Sequence, residues 1–154
     1  GFLYALKVII ISLVAIYGLS FLLETLFGDN MVNPENQEFL ESMLRMNFSP
    51  ALVVYIVFLG PLIEEYTFRE YLPGVFRNIF KRRDQDIKDF VALIMANILF
   101  SLAHTPGDIY SFLIYFSIGF VLVMVRFKTN NLRLSAFVHI LWNLISTLTL
   151  YFVL

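Results

Sequence analysis

Residues 50–72 read PALVVYIVFLGPLIEEYTFREYL, an unbroken apolar run from Pro50 to Ile63 that passes directly into Glu64, Glu65 and Arg69. A helix over these residues would be about 35 Å long at 1.5 Å rise per residue. That is enough to cross a hydrocarbon core of about 30 Å. The stretch therefore reads as a membrane span that carries two carboxylates and a guanidinium near one end. Intramembrane ionisable groups are functional suspects, because a charged side chain at a helix centre costs roughly 2.5–3.5 kcal/mol on insertion scales.

The rest of the chain has the same character. Of its 154 residues 59% are hydrophobic, 17% aromatic and only 15% charged, with a mean hydropathy of +0.77. Soluble domains carry about 25% charged residues, so lipid is the natural solvent for this surface. Five spans are predicted: Phe2 to Phe27, Pro50 to Leu72, Asp89 to His104, Ile109 to Phe127 and Leu134 to Leu154. The expected fold is all-α, a polytopic transmembrane helix bundle forming a single domain over residues 1–154. The stretch Phe76 to Arg83, where Phe76, Ile79 and Phe80 mix with bases, reads either as a short interfacial helix or, equally well, as an ordinary basic loop. A cleaved signal peptide fits the first run poorly, since it is too long and lacks a small-residue cleavage site. The start at Gly1 is compatible with a piece of a longer chain.

Charge orients the spans. The connection from Gly28 to Ser49 carries Asp29, Glu35, Glu38 and Glu41 against one base, Arg45, whereas Arg77, Lys81, Arg82, Arg83 and Lys88 crowd the next connection, and Arg126, Lys128 and Arg133 the next one on that same side. Because Lys and Arg are retained on the cytoplasmic side, the basic loops and the Lys7 end are expected there and the acidic loop outside. A net charge of -1 gives no case for a nucleic-acid partner, and the absence of Cys removes thiolate chemistry and disulfides.

The polar residues inside the predicted spans form three groups. Glu65 and Arg69 are four residues apart, stacked on one helix face in the favourable order for an ion pair, while Glu64 is rotated about 100° from Glu65. One carboxylate can thus be held by Arg69 while the other is left for chemistry. Phe100 and His104 close the third span, and His139 and Asn143 share a face of the last. Singly, each has a bland explanation. A membrane His or Asn is often interhelical glue, and Glu65 with Arg69 can be a structural clamp. Together they ask for a common cavity. A Glu beside a His can deprotonate a water and return the proton to a leaving amine. A second His and an Asn can donate to the developing oxyanion, and an apolar cavity suits acid–base cycling of a carboxylate. No cofactor is preferred; the alternative is a zinc ion held by Glu64, His104 and His139, with metal-bound water as nucleophile.

Other intramembrane protease chemistries lack their motifs: there is no H-E-x-x-H, no G-x-S-x-G and no G-x-G-D. The ordered trio that is present, E-E-x-x-x-R, F-x-x-x-H and H-x-x-x-N, each on its own helix, resembles the CPBP family. That family includes the type II CAAX prenyl endopeptidases and bacterial Abi relatives linked to bacteriocin immunity and peptide processing. The resemblance runs from residue 64 to 143. It implies that Glu64 and His104 activate the water, that His139 and Asn143 form the oxyanion site, and that Glu65 and Arg69 support the first helix. It implies an intramembrane endopeptidase acting on a peptide or membrane-anchored protein, with a lipid-modified tail as one option. The alternative is a non-proteolytic binding or immunity protein using the same cavity. Two departures stand out: members commonly have more membrane helices, and Glu70 follows Arg69 where Gly is frequent.

A single site requires a single depth. With the span boundaries above, Glu64 and His139 lie about 9 Å from the cytoplasmic boundary but His104 about 22 Å. The expected remedy is a third helix that begins earlier, through Asp84 to Asp89, and brings His104 toward the middle.

Overall fold

The structure is a computed structural model describing residues 2–28, 38, 41–43, 49–79 and 84–153. Five long helices dominate: α1 (Phe2–Phe27), α2 (Pro50–Arg77), α3 (Gln85–Ala103), α4 (Ile109–Thr129) and α5 (Leu132–Val153). No strand occurs among the described residues. The fold is the expected all-α helical bundle.

Four of the five helices, α1, α2, α4 and α5, are long and apolar enough to cross a membrane. The expected third span is not among them. Its helix, α3, starts at Gln85 and carries Asp86, Lys88 and Asp89 in its first turns. It can do so because Ala92, Leu93, Ala96, Asn97, Phe100 and Ser101 are buried by protein. A helix packed between α2 and α4 need not match lipid along its whole length. Of the interfacial helix considered over Phe76 to Arg83, Phe76 and Arg77 form the last turn of α2 and Asn78 and Ile79 a turn beyond it; Phe80 to Arg83 lie outside the described residues. So does most of the acidic connection.

Local chemistry sets the helix ends. Asp84 caps α3 by accepting from Asp86 N at 2.9 Å, and Asp108 caps α4 by accepting from Ser111 N at 2.7 Å. Pro50 opens α2 at the first turn, where a missing N–H costs nothing. Asn130 ends α4 in the left-handed conformation, φ 47°, a role in which Asn is well tolerated.

Helix α3 packs on α2 and α4, and α5 packs on α1, α2 and α4. The apolar core of the α1, α4 and α5 contact comprises Ala5, Ile9, Leu122, Val125 and Val138. Ala5, near the start of α1, therefore lies with Val125, near the end of α4. Across the other side, Arg77 Nε meets Asp89 at 2.7 Å and Arg126 Nη2 meets Glu70 at 2.7 Å. The end of α2, the start of α3, the end of α4 and the starts of α1 and α5 all belong to one end of the bundle. Lys7, Arg77, Lys88, Arg126, Lys128 and Arg133 are gathered there.

Helix α2 is not uniform. Two wide π turns, Tyr55–Leu59 and Tyr66–Tyr71, flank the segment Gly60–Glu65. Such turns are rare and concentrate at functional sites.

Candidate active site

Antiparallel register delivers the common depth. Eight residues back along α2, from Arg77 to Arg69, are matched by eight forward along α3, from Asp89 to Asn97, where Arg69 Nη2 donates to Asn97 Oδ1 at 3.2 Å. Five more residues on α2 reach Glu64, and a similar advance on α3 reaches the turn containing His104. The mismatch implied by the simple span boundaries disappears because α3 begins at Gln85, as the earlier start anticipated.

Glu65 and Arg69 form the expected pair, Oε1 to Nε at 3.7 Å, with 1% and 0% of their side chains exposed. The guanidinium is held further by Gly119 O at 3.1 Å and lies 4.8 Å from the Phe100 ring centroid. Asn97 in turn donates Nδ2 to Phe116 O at 3.0 Å, so both ends of its amide are engaged. Gly119 allows this approach. A Cβ there would overlap Asn97 Oδ1 and come within 2.8 Å of Phe100 Cδ1.

His139, 3% exposed, stands between the two carboxylates. Its Nδ1 is 3.2 Å from Glu65 Oε1 and its Nε2 is 3.6 Å from Glu64 Oε2. Glu64 differs from its neighbour in keeping 32% of its side chain exposed. The paired histidine contacts join α2 to α5 through both carboxylates, whereas the sequence assigned Glu65 to Arg69 alone.

His104 follows the last residue of α3. Its Nδ1 bonds Phe100 O at 2.8 Å. A carbonyl oxygen only accepts, so Nδ1 carries a proton, which in the neutral ring leaves the lone pair on Nε2. The ring is held between Phe100 (centroids 4.5 Å) and Tyr115 of α4 (4.4 Å, stacked). Phe100 also meets the His139 ring at 5.9 Å and Phe68 at 5.5 Å. One buried aromatic thus lies against both histidines and Arg69. Thr105, next in the chain, has φ 45°, a left-handed conformation that a β-branched residue rarely adopts. Strain of this kind clusters at functional sites.

Asn143 lies one turn beyond His139 on α5, and its Nδ2 donates to Ile56 O of α2 at 3.0 Å. One of its two amide protons is thereby committed.

The six residues singled out from the sequence are linked as follows: Glu65, Arg69, His139 and Glu64 by direct contacts, His104 through Phe100, and Asn143 through α2. Asn97, Gly119 and Tyr115 were not anticipated. Asn97, Ser101 and His104 recur at spacings of four and three on α3, which places three polar side chains on one face of an apolar helix. That signal was readable.

Among the described residues no three His, Cys, Asp or Glu side chains converge at metal-holding distance. Both ring nitrogens of His139 face carboxylates and His104 Nδ1 faces a carbonyl.

A family model described as type II CAAX prenyl endopeptidase Rce1-like matches residues 46–145, a span that contains every residue of this site. The membrane-embedded CAAX protease MroQ of Staphylococcus aureus (strain USA300) is 26% identical over 134 residues, 86% of this chain and 52% of that protein. The UPF0177 protein YvdC of Lactococcus lactis subsp. lactis (strain IL1403) is 38% identical over 74 residues, 48% of this chain and 26% of that protein. The chain thus spans about half the length of the first and a quarter of the second. No solved structure matches. With four apolar helices long enough to span a bilayer and a match over most of its length, this integral membrane protein belongs to the Rce1-like family of type II CAAX prenyl endopeptidases.

Proposed function

We propose that the chain is the catalytic part of an intramembrane endopeptidase that hydrolyses a peptide bond with Glu64 and His104 as the water-activating pair. The observation that carries this reading is the contrast between the two carboxylates. Glu65 is consumed by Arg69 and His139, while Glu64 is partly exposed beside His139 and within electrostatic reach of His104.

Glu65 fixes His139 by accepting from Nδ1–H. His139 Nε2 lies 3.6 Å from Glu64 Oε2, a gap that a water or a substrate atom can bridge. As a carboxylate Glu64 can take a proton from water, and an N–H at His139 Nε2 can donate to a substrate oxyanion. The His104 Nε2 lone pair accepts the second hydrogen of that water and orients its oxygen. After attack, Glu64 returns the proton to the leaving nitrogen. The remaining N–H of Asn143, on the same face of α5 as His139, supplements the oxyanion donor. No metal-bound step is invoked.

The substrate class is a peptide or membrane-anchored protein tail, a prenylated Cys-containing tail being the option that the family's description suggests. The Lys7 end and the basic loops are assigned to the cytoplasmic side of the cell membrane by their clustered Lys and Arg. The test uses purified protein in detergent and two quenched fluorescent peptides, one with a farnesylated CAAX tail and one unmodified. Glu64→Gln and His104→Ala should each reduce turnover by about 10²–10⁴-fold. Retained turnover in either variant refutes its role, and turnover lost to a chelator and restored by zinc refutes the metal-free mechanism.

A further inference from the structure

The two wide turns of α2 come immediately before two of its prolines, and counting backbone donors explains both. In the first, Gly60 N–H donates to Tyr55 O, five residues back. Ile56 O therefore loses its ordinary α-helical donor. Its next donor along the chain would be residue 61, which is Pro61 and has no N–H. Asn143 Nδ2 of α5 supplies the missing bond at 3.0 Å. The second turn repeats the pattern. Leu72 N–H donates to Thr67 O, Pro73 offers nothing to Phe68 O, and Arg69 Nη1 lies 3.5 Å from that oxygen. An unpaired carbonyl is costly inside a protein and more so inside a bilayer, so each released oxygen demands a side-chain donor.

We propose that Pro61 is a positioning residue of the active site: by withholding its N–H it hands Ile56 O to Asn143 and fixes the orientation of that amide. A carbonyl can only accept, so Nδ2 rather than Oδ1 must face Ile56, and this sets where the second N–H points. Pro73 does the same for Arg69 with Phe68 O. The paired devices give each of two site side chains, one on α5 and one on α2 itself, an anchor on the α2 backbone. The catalytic consequence rests on the reading of Asn143 as an oxyanion donor; the backbone device does not.

The test is a double-mutant cycle on the purified full chain in detergent, read by thermal unfolding and by kinetics on the farnesylated peptide. In Pro61→Ala the Ile56 carbonyl regains a main-chain donor: the new N–H at position 61 if the wide turn persists, or Gly60 N–H if it closes. Asn143→Ala should therefore lower Tm by about 3 °C in the native background and by less than about 1 °C in Pro61→Ala. Pro61→Ala should lower kcat by about tenfold or more with KM within about twofold, since a small misplacement acts on the transition state. Pro50→Ala, at a first-turn proline that releases no carbonyl, serves as the control and should stay within about twofold of native kcat. Fully additive Tm losses overturn the inference whatever the kinetics show. Overlapping Tm losses with native kcat in Pro61→Ala overturn its catalytic half. If Glu64→Gln proves as active as the native protein, the hydrolytic mechanism fails, yet the Tm cycle still decides whether Pro61 sets the Asn143 anchor.

Discussion

Glu64 and Glu65 are consecutive residues of one type on one helix, yet the regions around them are opposites. Behind Glu65 lies a closed polar core in which Arg69 donates to both Asn97 Oδ1 and Gly119 O and almost nothing is exposed. Around Glu64 lies an open side, a third of its side chain exposed, with the His139 imidazole against it and His104 within electrostatic reach. The 100° step between neighbours on a helix is enough to place one carboxylate in each. The difference teaches that geometry and reactivity are held by different groups. The buried side fixes His139 from behind, and the open side is left free to meet a substrate.

Substitutions that attack one region should spare the other. The largest structural effect is expected from Arg69→Leu, which strands Glu65 in the core; breaking a buried pair by removing one partner costs about 3–5 kcal/mol. Chemical unfolding in detergent measures it, and a loss below about 1 kcal/mol would show that the core is not closed. Gly119→Ala should follow, at about 1–3 kcal/mol, because its Cβ overlaps Asn97 and forces α3 and α4 apart. Turnover should fall with it as Arg69 loses its two acceptors. The smallest effect belongs to the rim. Arg77→Ala removes the pair with Asp89, in which both side chains are 30% exposed, and should cost under about 1 kcal/mol with unchanged kcat. A loss comparable to Arg69→Leu would mean that the rim, not the core, holds α3 in register.

Much of this division was legible in the sequence. Four of the helices announce themselves by apolar length, and the Glu65–Arg69 pair follows from four-residue spacing. The third helix falls short of the others in apolar length because α3 has Asp86, Lys88 and Asp89 at one end, while Ala92, Ala96 and Phe100 further on are buried by protein rather than by lipid. The His139 bridge to both carboxylates depends on how α5 is rotated against α2, which no periodicity within either helix specifies. The Asn143 anchor was hidden for another reason. Its acceptor, Ile56 O, is a backbone atom released by a proline five residues later, and side-chain patterns do not reveal which carbonyls a wide turn leaves free. Asn97 was available on the face of α3 shared with His104 but carried no chemistry of its own to draw notice.

The most direct measurement compares Glu64→Gln with Glu65→Gln in one preparation, reading turnover on the farnesylated peptide and Tm for each. Glu64→Gln should lose about 10²–10⁴-fold in turnover while its Tm stays within about 2 °C of native. Glu65→Gln, which weakens the charge that holds Arg69 and His139, should lower Tm by several degrees. Native-like turnover in Glu64→Gln, or a native Tm in Glu65→Gln, would contradict the division of labour between the two carboxylates.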